Sequence, residues 1–201
     1  MSPERTYHFY NHANGWEKLF TEERNYPFFL EKLEEYIQPI ARLFAYCLIP
    51  DHFHLVGAIR SQKELLEVFQ LPDSLVKQPK KLRARLKKKI SQAFSNCFNS
   101  YAQSFNKVYS RKGSLFMQNF RKDEIKDKNL FCKLVHYIHA NPVHHGLVNK
   151  MEEWPHSSYQ LLSGENNTFL DRDYVFKAFG GREQFLKYHQ QPVDLNLRTF
   201  E

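Results

Sequence analysis

The sequence contains few cysteines, and their positions argue against a disulfide-built fold. Its 201 residues include three, Cys47, Cys97 and Cys132, which form no Cys-x-x-Cys pair and stand among apolar neighbours. Small secreted domains instead carry an even, closely spaced set of cysteines. We therefore expect three reduced thiols in the core of a cytoplasmic protein.

Long apolar runs and nucleotide-binding motifs are also missing. No stretch approaches the roughly 20 consecutive apolar residues that cross a bilayer as a helix. The start of the chain, MSPERTYHFYNHANG, lacks the basic beginning and apolar centre of a secretory signal peptide. We therefore expect neither secretion nor membrane insertion. There is no P-loop and no G-x-G-x-x-G fingerprint, so nothing indicates a nucleotide cofactor.

Acidic residues are absent from a long central stretch. Between Ser74 and Lys122 there is no Asp or Glu, whereas 13 Lys or Arg occur there, and the rest of the chain carries 16 basic and 22 acidic residues. A polycationic segment attached to a mildly acidic remainder is typical of a protein that binds phosphate groups. The alternative is a lysine-rich helix face that is merely solvated.

The pattern of apolar residues predicts an α+β domain. The predicted strands are 6–11, 40–49, 52–59 and 114–125. A helix with Thr21 as its N-cap follows the first strand, and a long helical region, broken near Pro72 and Pro79, precedes the fourth. The order β, α, β, β, α, β is that of a ferredoxin-like split βαβ sandwich, an antiparallel sheet with helices on one face.

After the fourth strand the sequence predicts a further helix and then a helical extension. Asp127 can cap a helix with a core stripe of Leu130, Leu134 and Ile138. We expect this helix to end at Asn141, because a proline follows. From residue 151 onward small helices are predicted, which gives a main domain at 1–150 and a C-terminal helical extension at 151–201 packed on it.

Two histidines lie one residue apart in the third predicted strand, CLIPDHFHLVGAIR. Side chains at i and i+2 of a strand point the same way, about 7 Å apart, so His52 and His54 face one side. Both imidazoles could bind one metal ion if a third group approached from another element. A His-x-His pair is as often two hydrogen-bonded polar residues near a sheet end, and the spacing alone leaves both interpretations open.

A candidate partner for these histidines is the segment HYIHANPVHHGLV. Tyr137 and Asn141 are four residues apart, on one face of the predicted helix and beside its apolar stripe. Taken singly, Tyr137 is an ordinary half-buried core tyrosine and Asn141 an ordinary helix end. If their helix faces the sheet, both could meet the strand histidines.

Four ordered motifs together resemble the REP-associated tyrosine transposases, a branch of the single-tyrosine HUH transposases. Cys47-Leu-Ile-Pro-Asp-His-Phe-His-Leu matches the HUH strand, and Tyr137-Ile-His-Ala-Asn-Pro-Val matches the catalytic helix. The remaining matches are Gly113, Phe116 and Phe120-Arg121 before that helix, and Trp154-Pro-His-Ser-Ser-Tyr159 after it. The resemblance runs from about Tyr7 to Tyr159.

The resemblance implies a transposase-like, metal-dependent endonuclease and strand transferase acting on single-stranded DNA at hairpins of REP-like or element-end sequence, in the prokaryotic cytoplasm at the nucleoid. It implies that 1–150 is the catalytic domain, that Tyr137 is the nucleophile and forms a 5′-phosphotyrosine, and that His52, His54 and Asn141 bind Mg²⁺ or Mn²⁺. Two imidazoles and an amide are softer ligands than a usual magnesium site, so Mn²⁺ is at least as plausible. The oligomeric state, monomer or homodimer, stays open.

The resemblance and the charge asymmetry together assign the basic residues to DNA contacts. Those expected along the DNA backbone are Lys80, Lys81, Arg83, Arg85, Lys87, Lys88 and Lys89. Those expected nearer the active site are Arg111, Lys112, Arg121 and Lys122. The chain departs from the family pattern at His144-His145-Gly146, where Arg-Ala-Gly is usual, which leaves the DNA target open.

Two other functions are consistent with these residues. Ferredoxin-like sheets commonly bind RNA or single-stranded DNA without catalysis, by stacking bases on surface aromatics, and such a module would need no metal. A metal-dependent phosphoesterase that uses activated water would not need Tyr137.

Overall fold

The computed structural model, whose described residues are 1–165 and 167–194, contains a sheet of four strands. The strands are β1 (Thr6–His12), β2 (Ala41–Ile49), β3 (His52–Ile59) and β4 (Arg121–Ile125). They lie in the order β2-β3-β1-β4, and every neighbouring pair is antiparallel. This arrangement confirms the predicted ferredoxin-like sandwich, including the β2-β3 hairpin around Pro50 and Asp51.

One face of the sheet is covered by α1 (Asn25–Tyr36) and α3 (Pro79–Val108). Phe53 of β3 points to this side and packs against Phe29 of α1 and Phe98 of α3, with ring centroids 5.1 and 5.4 Å apart. Between β3 and α3 lie α2 (Gln62–Val68) and a short 3-10 turn (Asp73–Leu75). The break predicted at Pro79 is confirmed, because α3 begins there, where a missing N–H removes no helical hydrogen bond.

The opposite face is covered by α4 (Lys128–His144). Its predicted cap is confirmed, since Asp127 accepts a hydrogen bond from the Leu130 amide at 2.8 Å. The predicted end at Asn141 is wrong. Pro142 removes a single hydrogen bond from the last turn, and the His145 amide still bonds to the Asn141 carbonyl at 3.0 Å, so the helix continues to His144.

Three local predictions differ from the structure. Thr21 does not cap α1, because the Asn25 side chain accepts hydrogen bonds from the amides of Thr21 and Glu22 at 2.9 Å and holds them as a turn before the helix. The strand predicted at 114–125 is shorter, and Phe116 only forms an isolated bridge with Ala13. In α4, Leu130 is only partly buried.

The C-terminal segments lie along β2 and α4. They are a 3-10 turn (Met151–Glu153), α5 (Tyr159–Ser163), α6 (Arg172–Phe179) and α7 (Arg182–Tyr188). Trp154 donates from Nε1 to the Leu48 carbonyl at 2.9 Å, and Ser157 bridges to Cys47 of β2. Of the predicted extension 151–201, residue 166 and residues 195–201 lie outside the described part, and the boundary at 150 stays a prediction.

The three cysteines lie in the core, as expected. Cys47, Cys97 and Cys132 are all buried free thiols, and burial raises the thiol pKa of Cys97 to about 12. Within residues 1–165 and 167–194, no helix is both long and apolar enough to cross a membrane.

Candidate active site

Strand β3 presents its two histidines to α4. Because side chains alternate along a strand, Phe53 enters the core under α1 and α3 while His52 and His54 point to the other face. Both imidazoles are almost completely buried, and their ring centroids lie 5.1 Å apart with the rings nearly perpendicular. The predicted pair therefore shares one face, directed at α4.

His52 is held from both sides. Its Nδ1 donates to the Asp51 carboxylate at 3.0 Å, and its Nε2 lies 3.1 Å from the side-chain oxygen of Asn141 on α4. The hydrogen bond from His52 lowers the pKa of the Asp51 carboxyl to about 2, so Asp51 is ionised at neutral pH. Nε2 of His52 either donates a proton to the Asn141 oxygen or presents a lone pair beside it, depending on where the ring holds its hydrogen.

His54 is held by a third histidine. Its Nδ1 lies 2.9 Å from Nε2 of His8 on β1, and both side chains are fully buried. Burial lowers the pKa of His8 to about 3 and that of His54 well below its usual value, so both rings are neutral at pH 7. Nε2 of His54 has no hydrogen-bond partner among the described residues.

Helix α4 brings Tyr137 and Asn141 to the same place. The ring centroids of Tyr137 and His54 are 6.3 Å apart, and Asn141 reaches His52 one turn later. The structure thus brings together all four residues singled out as nucleophile and metal ligands. Tyr137 has no exposed surface, and Asn141 has none either.

The donor atoms at this site fit a small divalent cation. Two ligand atoms bound at right angles to one ion, with bonds of about 2.1 Å, are about 3 Å apart, close to the 3.1 Å between His52 Nε2 and the Asn141 oxygen. The buried Nε2 of His54, on the same face of β3, has no hydrogen-bond partner in the described structure and is the candidate for a third ligand atom. In residues 1–165 and 167–194, no three His, Cys, Asp or Glu side chains could hold a metal by themselves. A site here therefore depends on the Asn141 amide.

The predicted DNA-binding residues fall into two groups. The seven on α3, Lys80 to Lys89, are exposed and lie on the helix layer opposite α4. Lys81, Arg85, Lys88 and Lys89 line a surface groove of about 700 Å³.

Of the other group, Arg121 shares the face of the sheet that bears the histidines, whereas Lys122 pairs with Phe9 and points to the α3 side. Arg121 pairs with Tyr10, which pairs with His54, so Arg121 is about 10 Å across the sheet from that histidine at about 4.8 Å per strand. Lys112 and Lys122 are exposed, whereas Arg111 forms an ion pair with Glu17 and bonds the Ser114 carbonyl.

Four further histidines surround the site and were not assigned from the sequence. His8 bonds His54, and the ring of His12 stacks on His52 with centroids 4.6 Å apart. His145 lies 4.9 Å from His52, and His144 lies 5.7 Å from Tyr137, measured between ring centroids. The alternation of His8, Tyr10 and His12 in YHFYNH could have indicated two of them, because residues two apart on a strand share a face and β1 pairs with β3.

Comparison with known proteins gives one curated relative and one solved structure. No protein-family model matches the chain. A Haemophilus influenzae protein, provisionally named as a REP-associated tyrosine transposase, is 26% identical over 118 residues, which are 57% of this chain and 57% of that protein. The chain thus matches little more than half the length of this relative. A solved structure described as a REP-associated tyrosine transposase bound to a REP hairpin superimposes with a TM-score of 0.50, 16% identity and coverage of 80% of this chain and 81% of the other.

The fold and the site define a class of protein. Its members are antiparallel α+β sandwiches in which a His-x-His strand faces a tyrosine-bearing helix. The solved structure has this fold, and the curated relative is named for the same family. The curated relative confirms the resemblance in sequence, and the solved structure confirms it in fold. The chain is similar, in sequence and in fold, to the REP-associated tyrosine transposases.

Proposed function

We propose that this protein is a transposase-like endonuclease and strand transferase that acts on single-stranded DNA at hairpin sequences. The observation that carries the proposal is the meeting of His52 and His54 with Tyr137 and Asn141 in one buried site, assembled from a strand and a helix that are distant in sequence. A core tyrosine needs no such surroundings.

Tyr137 is the proposed nucleophile. Its Oη forms a bond to the phosphorus of a DNA phosphodiester while the bond from phosphorus to the 3′ oxygen breaks. The phenol loses its proton and the departing 3′ oxygen gains one, which leaves a 5′-phosphotyrosine and a free 3′-OH. The covalent bond retains the energy of the cleaved linkage, so another 3′-OH can reverse the step without a nucleotide cofactor.

The residues that would hold a divalent ion, Mg²⁺ or Mn²⁺, are His52, His54 and Asn141. Their donor atoms leave coordination positions open to phosphate oxygens. When bound, the ion would neutralise phosphate charge and stabilise the developing 3′ oxygen. Tyr137 would need this help, because a phenol of pKa about 10 is a poor nucleophile at neutral pH. Asp51 and His8 keep the two imidazoles in place.

Hairpin DNA is the proposed partner. The solved structure of the same fold is described as bound to a REP hairpin, and the acid-free stretch of this chain supplies exposed cations on α3 and beside the site on β4. Arg121 of β4 shares the face of the sheet that bears the histidines, and we assign it to the DNA backbone close to the scissile phosphate. Lys122 pairs with Phe9 and points to the α3 side, so its DNA contact would lie on that side.

A second candidate function is favoured by the burial of Tyr137. A nucleophile must come within about 3–3.5 Å of the atom that it attacks, and the phenol has no exposed surface. Catalysis therefore requires the side chains that cover Tyr137 to move when DNA binds. A protein that binds hairpins without cutting them would need no such movement.

The test is to incubate the protein with hairpin oligonucleotides carrying single-stranded flanks, with Mn²⁺ or with EDTA, and to separate the products on a denaturing gel. An endonuclease gives a protein–DNA adduct that resists denaturation and depends on Mn²⁺, together with a shortened strand ending in 3′-OH. Hairpin binding without adduct or cleavage establishes the binding protein instead. Cleavage without adduct establishes a phosphoesterase that uses water.

A further inference from the structure

His8 of β1 lies beside His54 of the neighbouring strand β3 and has no part in the proposed chemistry. Its Nε2 is 2.9 Å from Nδ1 of His54. The centroid of its ring lies 4.6 Å from that of Tyr10 and 5.1 Å from that of His54, and the ring is nearly parallel to both. The side chain has no exposed surface. These contacts fix the ring of His8 and, through the hydrogen bond, the ring of His54.

The hydrogen bond between these rings couples their tautomers. A hydrogen bond between two ring nitrogens needs one proton, which belongs either to Nε2 of His8 or to Nδ1 of His54. If His8 donates, Nδ1 of His54 accepts and the proton of that imidazole sits on Nε2, which then has no lone pair for a cation. If His54 donates from Nδ1, its Nε2 instead presents a lone pair toward α4.

We propose that His8 is a positioning residue, which accepts the Nδ1 proton of His54 and thereby holds the Nε2 lone pair of His54 toward the cation site shared with His52 and Asn141. The inference rests on the proposed function, because it assigns a partner to one of the proposed ligands. It adds a residue that lies outside the four motifs. Outer-layer partners of this kind fix the orientation and tautomer of a ligating imidazole.

The arrangement around His52 supports the assignment. There, the Asp51 carboxylate can only accept, so Nδ1 of His52 must donate and Nε2 is left for another partner. His8 does for His54 what Asp51 does for His52. The two rings consequently direct the same atom, Nε2, toward the site, although one is held by a carboxylate and the other by a neutral imidazole.

The experiment compares Mn²⁺ binding by the wild-type chain and three variants, measured from the loss of the electron paramagnetic resonance signal of free Mn²⁺. His8→Phe keeps a flat ring but cannot accept the proton. His8→Gln retains an acceptor and tests rescue. Phe9→Leu is the control for packing, because Phe9 is buried on the opposite face of the same strand, against Phe94.

We expect His8→Phe to bind Mn²⁺ about 10- to 100-fold more weakly, the usual effect of removing an outer-layer partner. His8→Gln should recover most of that loss, and Phe9→Leu should lower the thermal midpoint while the Mn²⁺ affinity stays within about twofold. In the Zn²⁺-loaded wild type, proton–nitrogen correlation spectra should place the proton of His54 on Nδ1.

Two results would overturn the inference in different ways. If the wild type binds Mn²⁺ and His8→Phe binds it equally well, His8 only packs the sheet and the proposed function is untouched. If the wild type binds no Mn²⁺, the metal-dependent function fails and the role of His8 fails with it. Should His8→Phe not fold, His8→Gln still tests the assignment. A folded His8→Gln variant that binds Mn²⁺ much more weakly than Phe9→Leu would contradict it.

Discussion

Nε2 of His52 and the side-chain oxygen of Asn141 lie 3.1 Å apart, although 89 positions separate the two residues in the sequence. The contact joins the central hairpin to α4 at a point where neither side chain is exposed. The two atoms form a hydrogen bond when Nε2 carries a proton, and without that proton both are lone-pair donors that a cation could bind together. The first two predictions concern this contact and the tyrosine one turn before it.

Replacing Asn141 with Leu removes the oxygen while keeping the side-chain volume. At Mn²⁺ equal to 100 times the dissociation constant, binding stabilises a protein by about 2.7 kcal/mol. If the variant binds about tenfold more weakly, the gain falls to about 1.4 kcal/mol. Urea unfolding with and without Mn²⁺ measures both values, and Asn149→Leu, at an exposed position, is the control. If Mn²⁺ stabilises Asn141→Leu and the wild type equally, the Asn141 amide is not a metal ligand.

Replacing Tyr137 with Phe deletes one oxygen from the proposed nucleophile. We expect the covalent DNA adduct to disappear while the dissociation constant for the hairpin changes less than about twofold, because phosphate contacts elsewhere supply the affinity. The matched control is Tyr101→Phe, since Tyr101 is equally buried but donates to the Leu19 carbonyl at 2.6 Å on the other side of the sheet. An adduct formed by Tyr137→Phe at the wild-type rate would show that Tyr137 is not the nucleophile.

Replacing Lys87, Lys88 and Lys89 with Ala removes three exposed cations from α3. Each phosphate contact contributes about 0.7 to the slope of log affinity against log salt for single strands, so the triple variant should flatten that slope by about two units. Fluorescence anisotropy over a salt series measures it. The control variant replaces Lys63, Lys150 and Lys177 with Ala. It loses the same charge, but at exposed positions outside the acid-free stretch. If the α3 variant keeps the wild-type slope, its lysines are a solvated face and the DNA runs elsewhere.

A histidine buried on α4 should make the protein less stable in acid. Burial lowers the pKa of His136 to about 4, below the usual 6.5 of an unfolded chain. Above pH 6.5 the group is neutral in both states, and its stabilisation is lost as the pH falls from 6.5 through about 4, because the unfolded chain takes up the proton first.

For one such histidine the free energy of unfolding falls by about 1.4 kcal/mol per pH unit within that window. His136→Phe should reduce the slope by about this amount between pH 6 and pH 4.5, in urea titrations at a series of pH values. Between pH 7.5 and 8.5 both proteins should show the same slope, which serves as the internal control. An unchanged slope in acid would mean that His136 takes up its proton in the folded state.

The fold could be predicted from the sequence because its signals are local. The alternation in β3 and the Pro50-Asp51 turn predicted the hairpin, and the order of strands and helices left few ways to build one sheet. Errors occurred where one side chain redirects the chain. Asn25 binds the amides of Thr21 and Glu22, so Thr21 does not cap α1. Helix α4 continues past Asn141 because Pro142 removes one hydrogen bond while the His145 amide still bonds the Asn141 carbonyl.

The sequence by itself determined that His52 and His54 share a face and that Tyr137 and Asn141 share another, because strand and helix periodicities are properties of neighbouring residues. The pairing of β1 with β3, which brings His8 and His12 against those histidines, depends on a register between distant segments. The same holds for the placement of the α3 lysines on the layer opposite Tyr137 and for the burial of the tyrosine itself. These features were decided only by the tertiary structure, since contacts between distant segments arise when the sheet and its two helix layers pack together.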